Sequence, residues 1–141
     1  MTRESLPISL VVGPGDEHDS RRFREVMDGI RVRCGRGRPR NRPDEVSGDS
    51  AYETRDARAY LRRSIKASIP VSVRNRRRPK RGRPYRLNPE AYKRVRNSVE
   101  RFFAWLTNGF RRPAIRWERL ASTLTGLIQL ACIIIHLRVF R

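Results

Sequence analysis

The stretch EVSGDSAYETRDARAYLRRSIKASIPVSV, residues 45–73, decides the fold class, because its periodicity changes twice within a short span. Glu45 to Asp49 is expected to form a short strand, weakened at Gly48, which has no side chain to pack. Asp56 to Ile65 is expected as a helix, with Ala57, Tyr60 and Leu61 facing inward. Ile69 to Val73 is the next strand candidate. This order suggests an α/β domain. It also gives Asp49 two readings. As a polar residue beside serine and glycine it suits a turn or cap. As the last residue of a strand it presents a carboxylate at the carboxyl edge of a sheet, where α/β sites are usually built.

Toward the N-terminus, Leu6 to Val12 reads as a buried strand, with Gly13-Pro14-Gly15 stopping it. Asp19 or Ser20 is the expected cap of a helix whose apolar face is Phe23, Val26, Met27 and Ile30. RVRCGRGRPRNRPDE, residues 31–45, reads as a solvated basic loop.

Toward the C-terminus, RNRRRPKRGRP, residues 74–84, carries too much charge and too little apolar surface to fold alone. Asn88-Pro89-Glu90 then supplies a capping side chain, a first-turn proline and an acid at the positive end of the helix dipole. Tyr92, Val95, Val99, Phe102, Phe103 and Leu106 form one face of the helix that follows, which Asn108-Gly109 ends. A second long helix is expected from about Trp117, with Leu120, Leu124, Leu127, Ile128, Ala131, Ile134 and Ile135 as its buried stripe. The expected division is a strand and helix part over 5–73, a basic loop over 74–87, a helix over 88–108 and a closing helix over 117–140.

The composition points to a partner rather than a fold. Across 141 residues, 33 Lys+Arg face 14 Asp+Glu, for a formal net charge of +19. Nearly all of that excess is arginine, whose planar fork suits bidentate phosphate contacts better than a lysine point charge does. Nucleic acid is the first candidate, and an anionic membrane surface the second. The C-terminal apolar segment approaches spanning length, but Thr123, Thr125, Gln129 and His136 interrupt it, so a buried helix and no membrane role are expected. The N-terminal apolar run lacks the length and cleavage site of a secretory signal. Cys34 and Cys132 have no disulfide or metal-site spacing, which fits a reduced cytoplasmic protein.

The polar face of the first long helix gathers Lys93, Arg96, Asn97, Glu100 and Ala104 at three- and four-residue spacing. Glu100 is a lone carboxylate among cations. An ordinary Arg96–Glu100 ion pair, worth a few tenths of a kcal/mol when exposed, accounts for it. A metal-binding carboxylate held near a phosphate accounts for it too. Trp105, Trp117, Phe102 and Phe103 can stack on extruded bases, although their spacing fits core packing better. His136 and Cys132 share a helix face without further partners.

Several blocks together resemble the catalytic domain of bacterial insertion-sequence transposases with a DDE active site and an RNase H-like fold. ISLVVGPGDEHDS resembles the family's strand, Pro-Gly turn and His-Asp-Ser. GRGRPRNRP and RRRPKRGRP resemble its two basic loops, and GDSAYETRDARAYLRRS its Asp-x-x-Tyr block. YKRVRNSVERFFAWLTNGFRR resembles its Tyr–Arg–Glu helix, and IRWERLASTLTGLIQLACIIIHLR its closing helices. The ordered set covers nearly the whole chain.

The resemblance implies an α/β, RNase H-like domain followed by C-terminal helices. Asp49 would match the second catalytic aspartate and Glu100 the catalytic glutamate, both binding Mg²⁺ or Mn²⁺. Arg96 would match the signature arginine. Tyr92 lies one residue earlier than the usual spacing, and Thr107 stands where a lysine is expected, with Arg111 and Arg112 as possible replacements. Tyr92, Lys93, Arg96 and Asn97 would contact DNA, and Arg74, Arg76, Arg77, Arg78, Lys80 and Arg81 would follow its phosphates.

The family's first aspartate ends a strand that precedes the one matched at Leu6, so Met1 starts beyond it and the chain is expected to be N-terminally truncated. Weak metal binding, little cleavage, an exposed strand edge at Leu6–Val12 and poor solubility are then expected. An upstream-frame or full-length transposase polypeptide would repair the deficit, and a homo-oligomer on DNA in the nucleoid is implied. The alternative is an inactive DNA-binding remnant that inhibits a full-length transposase.

Overall fold

The computed structural model describes residues 6–62, 64–77, 82, 84–85, 87–115 and 118–139. Two compact units divide the chain: Gly13–Arg94, and Met1–Val12 together with Val95–Arg141.

In the unit Gly13–Arg94, a turn of 3₁₀ helix over Asp19–Arg22 leads into α1, Phe23–Asp28. The capping side chain is His18 rather than Asp19 or Ser20; its Nδ1 accepts from the Ser20 N–H at 3.4 Å. The first turn is further fastened by Arg22, which pairs with Glu17 at 2.6 Å and Glu25 at 3.0 Å. Phe23 and Met27 are buried as expected, and Ile30 packs at the margin of the same cluster. Arg31 reaches back to the carbonyls of Asp28 and Ile30, both at 3.0 Å, and satisfies acceptors that the helix end leaves open.

The centre of this unit is β1, Glu45–Ser47, followed by α2, Arg55–Leu61, and β2, Lys66–Ser68. The strands pair in parallel with Glu45 opposite Lys66, Val46 opposite Ala67 and Ser47 opposite Ser68. A helix joining two parallel strands is the arrangement that parallel pairing requires, so the mixed helix-and-sheet expectation holds. Thr54 caps α2, its Oγ1 accepting from the Ala57 N–H at 3.2 Å. Ser64, with φ of 79°, adopts the left-handed turn that brings the chain from α2 back toward β2.

The second strand forms three residues earlier than the expected Ile69–Val73. Pro70 has no N–H for a ladder, Ile69 is spent in the core at 1% exposure, and Val73 opens α3, Val73–Arg77. Phe23, Met27, Ala57, Leu61, Ile65 and Ile69 make the core, with Phe23 and Tyr60 in perpendicular ring contact at 5.8 Å. Each fully buried aliphatic or aromatic residue there contributes about 1.5–3 kcal/mol.

The stretch 74–87, expected as loop throughout, begins as helix. Ser72 starts α3, its Oγ accepting from the Asn75 N–H at 3.3 Å. Arg76 Nε donates to the Val71 carbonyl at 3.1 Å. Arg78, Lys80 and Arg81 lie outside the described residues.

The long helix α4 runs Pro89–Gly109. Asn88 caps it as expected, Oδ1 accepting from the Ala91 N–H at 3.2 Å. A short helix that the sequence did not announce, α5 over Arg111–Ile115, precedes α6, Ala121–Val139. In the unit containing the chain ends, Leu6, Phe102, Leu106, Ala131 and Ile135 form the core, with Trp105, Phe110 and Cys132 at its margin.

Three expectations fail in this unit. Leu6–Val12 forms no strand. Pro7 lacks a donor, and Leu6 enters the core through its side chain, at 1% exposure, instead of through a ladder. The anticipated hydrophobic strand edge is therefore absent from the described residues. Phe103 and Val95, assigned to the inward face of α4, are exposed at 53% and 37%. On α6 full burial reaches only Leu124, Ala131 and Ile135, and Leu120, before the helix starts, is 67% exposed. By length and composition α6 could cross a membrane, and its packing against Phe102 and Leu106 gives it a protein core to face. Trp117 lies outside the described residues.

Candidate active site

Asp49 lies two residues beyond the end of β1, after Gly48. The ladder continues one residue past the strand, with the Gly48 N–H donating to the Ser68 carbonyl at 3.4 Å. A side chain at Gly48 would meet the Tyr52 ring at 3.4 Å, so glycine leaves room for that ring. Asp49 then caps a turn of 3₁₀ helix over Ser50–Tyr52, its Oδ1 accepting from the Ala51 N–H at 2.9 Å. The structure realises the capping reading, and Asp49 lies two residues past the strand rather than ending it. Its exposed carboxylate stands just beyond the carboxyl end of a parallel strand.

Tyr52 is half-buried, its ring 6.2 Å from Phe23. Burial raises the pKa of its hydroxyl, and the carboxylates of Asp19 and Asp49 raise it further. Asp19, in the His-Asp-Ser turn, therefore stands within electrostatic reach of the same phenol as Asp49. Sequence reasoning noted the Asp-x-x-Tyr block but not this neighbour.

A second polar cluster was missed outright. Glu53 accepts from the Ser72 N–H at 2.5 Å. Burial works to raise its pKa, but hydrogen bonds from the Ser72 backbone and from Asn75 hold the carboxyl below its ordinary value. Arg58 is buried on α2 and donates to the Ile69 carbonyl at 2.8 Å. Its guanidinium lies 3.9 Å from the centre of the Tyr85 ring. Burial lowers the Arg58 pKa, opposed by Tyr85 and Glu53. These residues fix the end of β2 and the segments on either side of the basic stretch. Arg58 sits on the helix's polar spacing, and only tertiary packing buries it.

Glu100 lies on the exposed surface of α4, its Oε1 2.9 Å from Arg96 Nε. This is the plain helical ion pair, in the weaker order with the cation N-terminal. Lys93, Arg96 and Asn97 are exposed on the same helix and Tyr92 is partly buried. Thr107 turns its hydroxyl back onto its own helix, donating to the Phe103 carbonyl at 2.9 Å, so it makes no outward contact like that of a lysine. Arg111 and Arg112 are exposed on α5. Of the aromatic residues, Phe102 is core, Trp105 is partly buried, and Phe103 projects outward. His136 Nδ1 lies 2.7 Å from the Cys132 carbonyl and is engaged with its own helix.

Asp49 belongs to the unit Gly13–Arg94 and Glu100 to the other. Both carboxylates are hard oxygen donors of the kind Mg²⁺ and Mn²⁺ prefer. Among the described residues, no three His, Cys, Asp or Glu side chains gather as a metal-binding group. The donor chemistry of each carboxylate fits a divalent ion.

A parallel strand–helix–strand unit, with a carboxylate just beyond its first strand, sits in a strongly cationic chain. Comparison with known proteins specifies the kind of protein. The family model for the transposase DDE domain matches residues 1–135, and the chain belongs to that family, in its insertion-sequence branch. It is also similar to a Brucella ovis protein that carries the name of transposase for insertion sequence element IS6501. The two are 29% identical over 133 residues, covering 94% of this chain and 90% of that one. No solved structure gives a match.

Proposed function

We propose that this chain forms part of an insertion-sequence transposase of RNase H-like fold that cleaves phosphodiesters at the element's ends and transfers the freed strand to target DNA. The observation that carries this reading is the family match over residues 1–135 together with Asp49 just beyond the carboxyl end of a parallel strand. Asp49 and Glu100 would be the protein's ligands to Mg²⁺ or Mn²⁺. Such an ion lowers the pKa of bound water and offsets charge on the phosphate. Arg96, held beside Glu100, would orient that carboxylate and meet the DNA backbone with Tyr92, Lys93 and Asn97. Arg74, Arg76 and Arg77 on α3, with Arg78, Lys80 and Arg81 beyond it, would follow the phosphates, which positions DNA without reading its sequence. The chain would work in the cytoplasm on nucleoid DNA, as a homo-oligomer.

The family mechanism calls on three carboxylates. Asp49 and Glu100 would be two of them, and a full-length or upstream-frame transposase polypeptide would be this chain's partner. The second reading, a DNA-binding chain that inhibits an intact transposase, is favoured by the same absence of a three-donor cluster among the described residues.

One assay separates the two. Plasmid carrying the element's ends is incubated with Mg²⁺ and this chain, alone and with the polypeptide encoded upstream. The expected result is DNA binding without nicking by the chain alone, and end cleavage in the mixture that is lost in Asp49→Asn or Glu100→Gln. Inhibition of a full-length transposase without any rescued cleavage favours the second reading. Full cleavage by either variant removes these residues from the mechanism.

A further inference from the structure

We infer that the arginine loop closed by Val32 and Arg40 is a DNA-reading element that inserts into the narrow minor groove of A·T-rich duplex; this rests on the reading that the chain acts on DNA. Val32 and Arg40 exchange both backbone hydrogen bonds, at 2.9 and 2.7 Å, and so pin the base of the loop. Two arginines are committed to that base. Arg31 caps α1 through the Asp28 and Ile30 carbonyls. Arg40 pairs with Asp44 and donates to the Arg42 carbonyl. Arg33, Arg36 and Arg38 project from the loop, exposed. None of the three has a carboxylate or other hydrogen-bond partner among the described residues.

The glycines say what the loop is shaped for. Gly35, with φ of 91°, makes the turn that most side chains resist. Gly37 has no such conformation, and a Cβ there would have nothing within 4 Å. Neither backbone strain nor crowding in the free chain calls for glycine at 37. Its smallness serves an approach by something outside the chain. Between Arg36 and Arg38 it leaves a thin backbone flanked by two guanidinium groups, and Pro39 fixes φ immediately after them.

A thin loop of exposed arginines matches the minor groove, about 6 Å wide, and not the broad major groove, which admits a whole helix. A·T-rich tracts narrow that groove further and deepen its negative potential, which draws in arginine. Guanidinium is less strongly hydrated than ammonium and so costs less to bring into such a slot. The same four residues, Arg-Gly-Arg-Pro, recur at 81–84, where Gly82 has φ of 118° and again nothing within 4 Å of a Cβ. The backbone conformation accounts for Gly82, so it is Gly37 whose glycine fits an external surface. Phosphate tracking alone would need the charges and not the glycine at 37.

The test measures binding of the full chain to two duplexes of equal length, one with an A·T tract and one with a G·C tract, across a salt series. Arg36→Lys/Arg38→Lys, which keeps the charge, is measured beside it. The expected result is an A·T preference on the order of tenfold. The double variant should lose that preference with its salt slope unchanged, because the slope counts neutralised phosphates. A dye that occupies the A·T minor groove should compete with the unsubstituted chain. Equal binding to both duplexes overturns the inference while leaving DNA binding intact. A preference that survives in the double lysine variant overturns it as well, by placing the readout elsewhere. Failure to bind either duplex at low salt overturns it together with the DNA-acting reading.

Discussion

At the scale of single residues, the carboxylates divide by what their surroundings do to them. Asp49 and Glu100 are exposed, each with one oxygen engaged in a local contact, at Ala51 and Arg96 respectively. In the rescued cleavage assay, Asp49→Asn should reduce the rate by roughly a hundredfold or more, the scale on which a single charge-stabilising group acts at a reaction centre. Its folding should change little, because an amide oxygen can still accept from the Ala51 N–H. A large loss of stability would mark Asp49 as structural instead. Glu53 behaves differently. Its folded-state pKa is depressed, so its stabilising effect is present above the ordinary carboxylate range and is lost as pH falls through the folded value. Glu53→Gln should therefore destabilise at neutral pH and flatten the acid limb of a stability-against-pH curve. Parallel curves for the two proteins would refute this. Arg58→Ala removes the partner of the Ile69 carbonyl and the cation beneath Tyr85, and should cost about 2 kcal/mol in denaturant unfolding.

At the scale of elements, caps and faces decide what each helix tolerates. α4 starts where Asn88 accepts from the Ala91 N–H, and Asn88→Ala should cost about 1 kcal/mol. α6 is a long apolar helix with a narrow buried side, so position matters more than residue type. Ile135, 4% exposed, should cost about 2–5 kcal/mol on truncation to alanine. Ile133, two positions earlier and 56% exposed, should stay within about 0.5 kcal/mol. Equal costs at the two positions would mean that the exposed side of α6 is covered in solution. α3 illustrates the opposite case. Five residues are too few for an autonomous helix. It persists through fixed contacts at its start, where Ser72 is bonded to Asn75 and Glu53.

At the scale of the whole molecule, the net charge of +19 governs behaviour. Most of the arginines are exposed, and among the described residues few carboxylates are paired with them. Self-repulsion should make the chain more stable as salt rises over the range where the Debye length falls below about 10 Å. DNA affinity should move the other way. Replacing Arg74, Arg76 and Arg77 together by alanine should lower the slope of log K against log salt by up to about 3. An unchanged slope in this triple variant would show that α3 does not reach the phosphate backbone.

The sequence alone determined the elements with local causes. The cap at Asn88, the amphipathic turn at Phe23 and Met27, and the strand before Asp49 all follow from residues within a few positions of one another. The resemblance of ordered motif blocks likewise named the family that the comparison then returned. Tertiary structure decided the matters that depend on distant partners. Whether Leu6–Val12 is a strand depends on a neighbouring strand to pair with, and periodicity cannot report one. Pro70 and the burial of Ile69 together moved β2 back to Lys66–Ser68, and packing selected Phe102 over Phe103 for the core. Arg58 reads as another surface cation, and Asp19 as a turn residue, until the fold carries one beneath Tyr85 and the other within reach of Tyr52. Hydrogen bonds and apolar burial are local enough to be written in short motifs only when both partners are close in the chain; these partners are not.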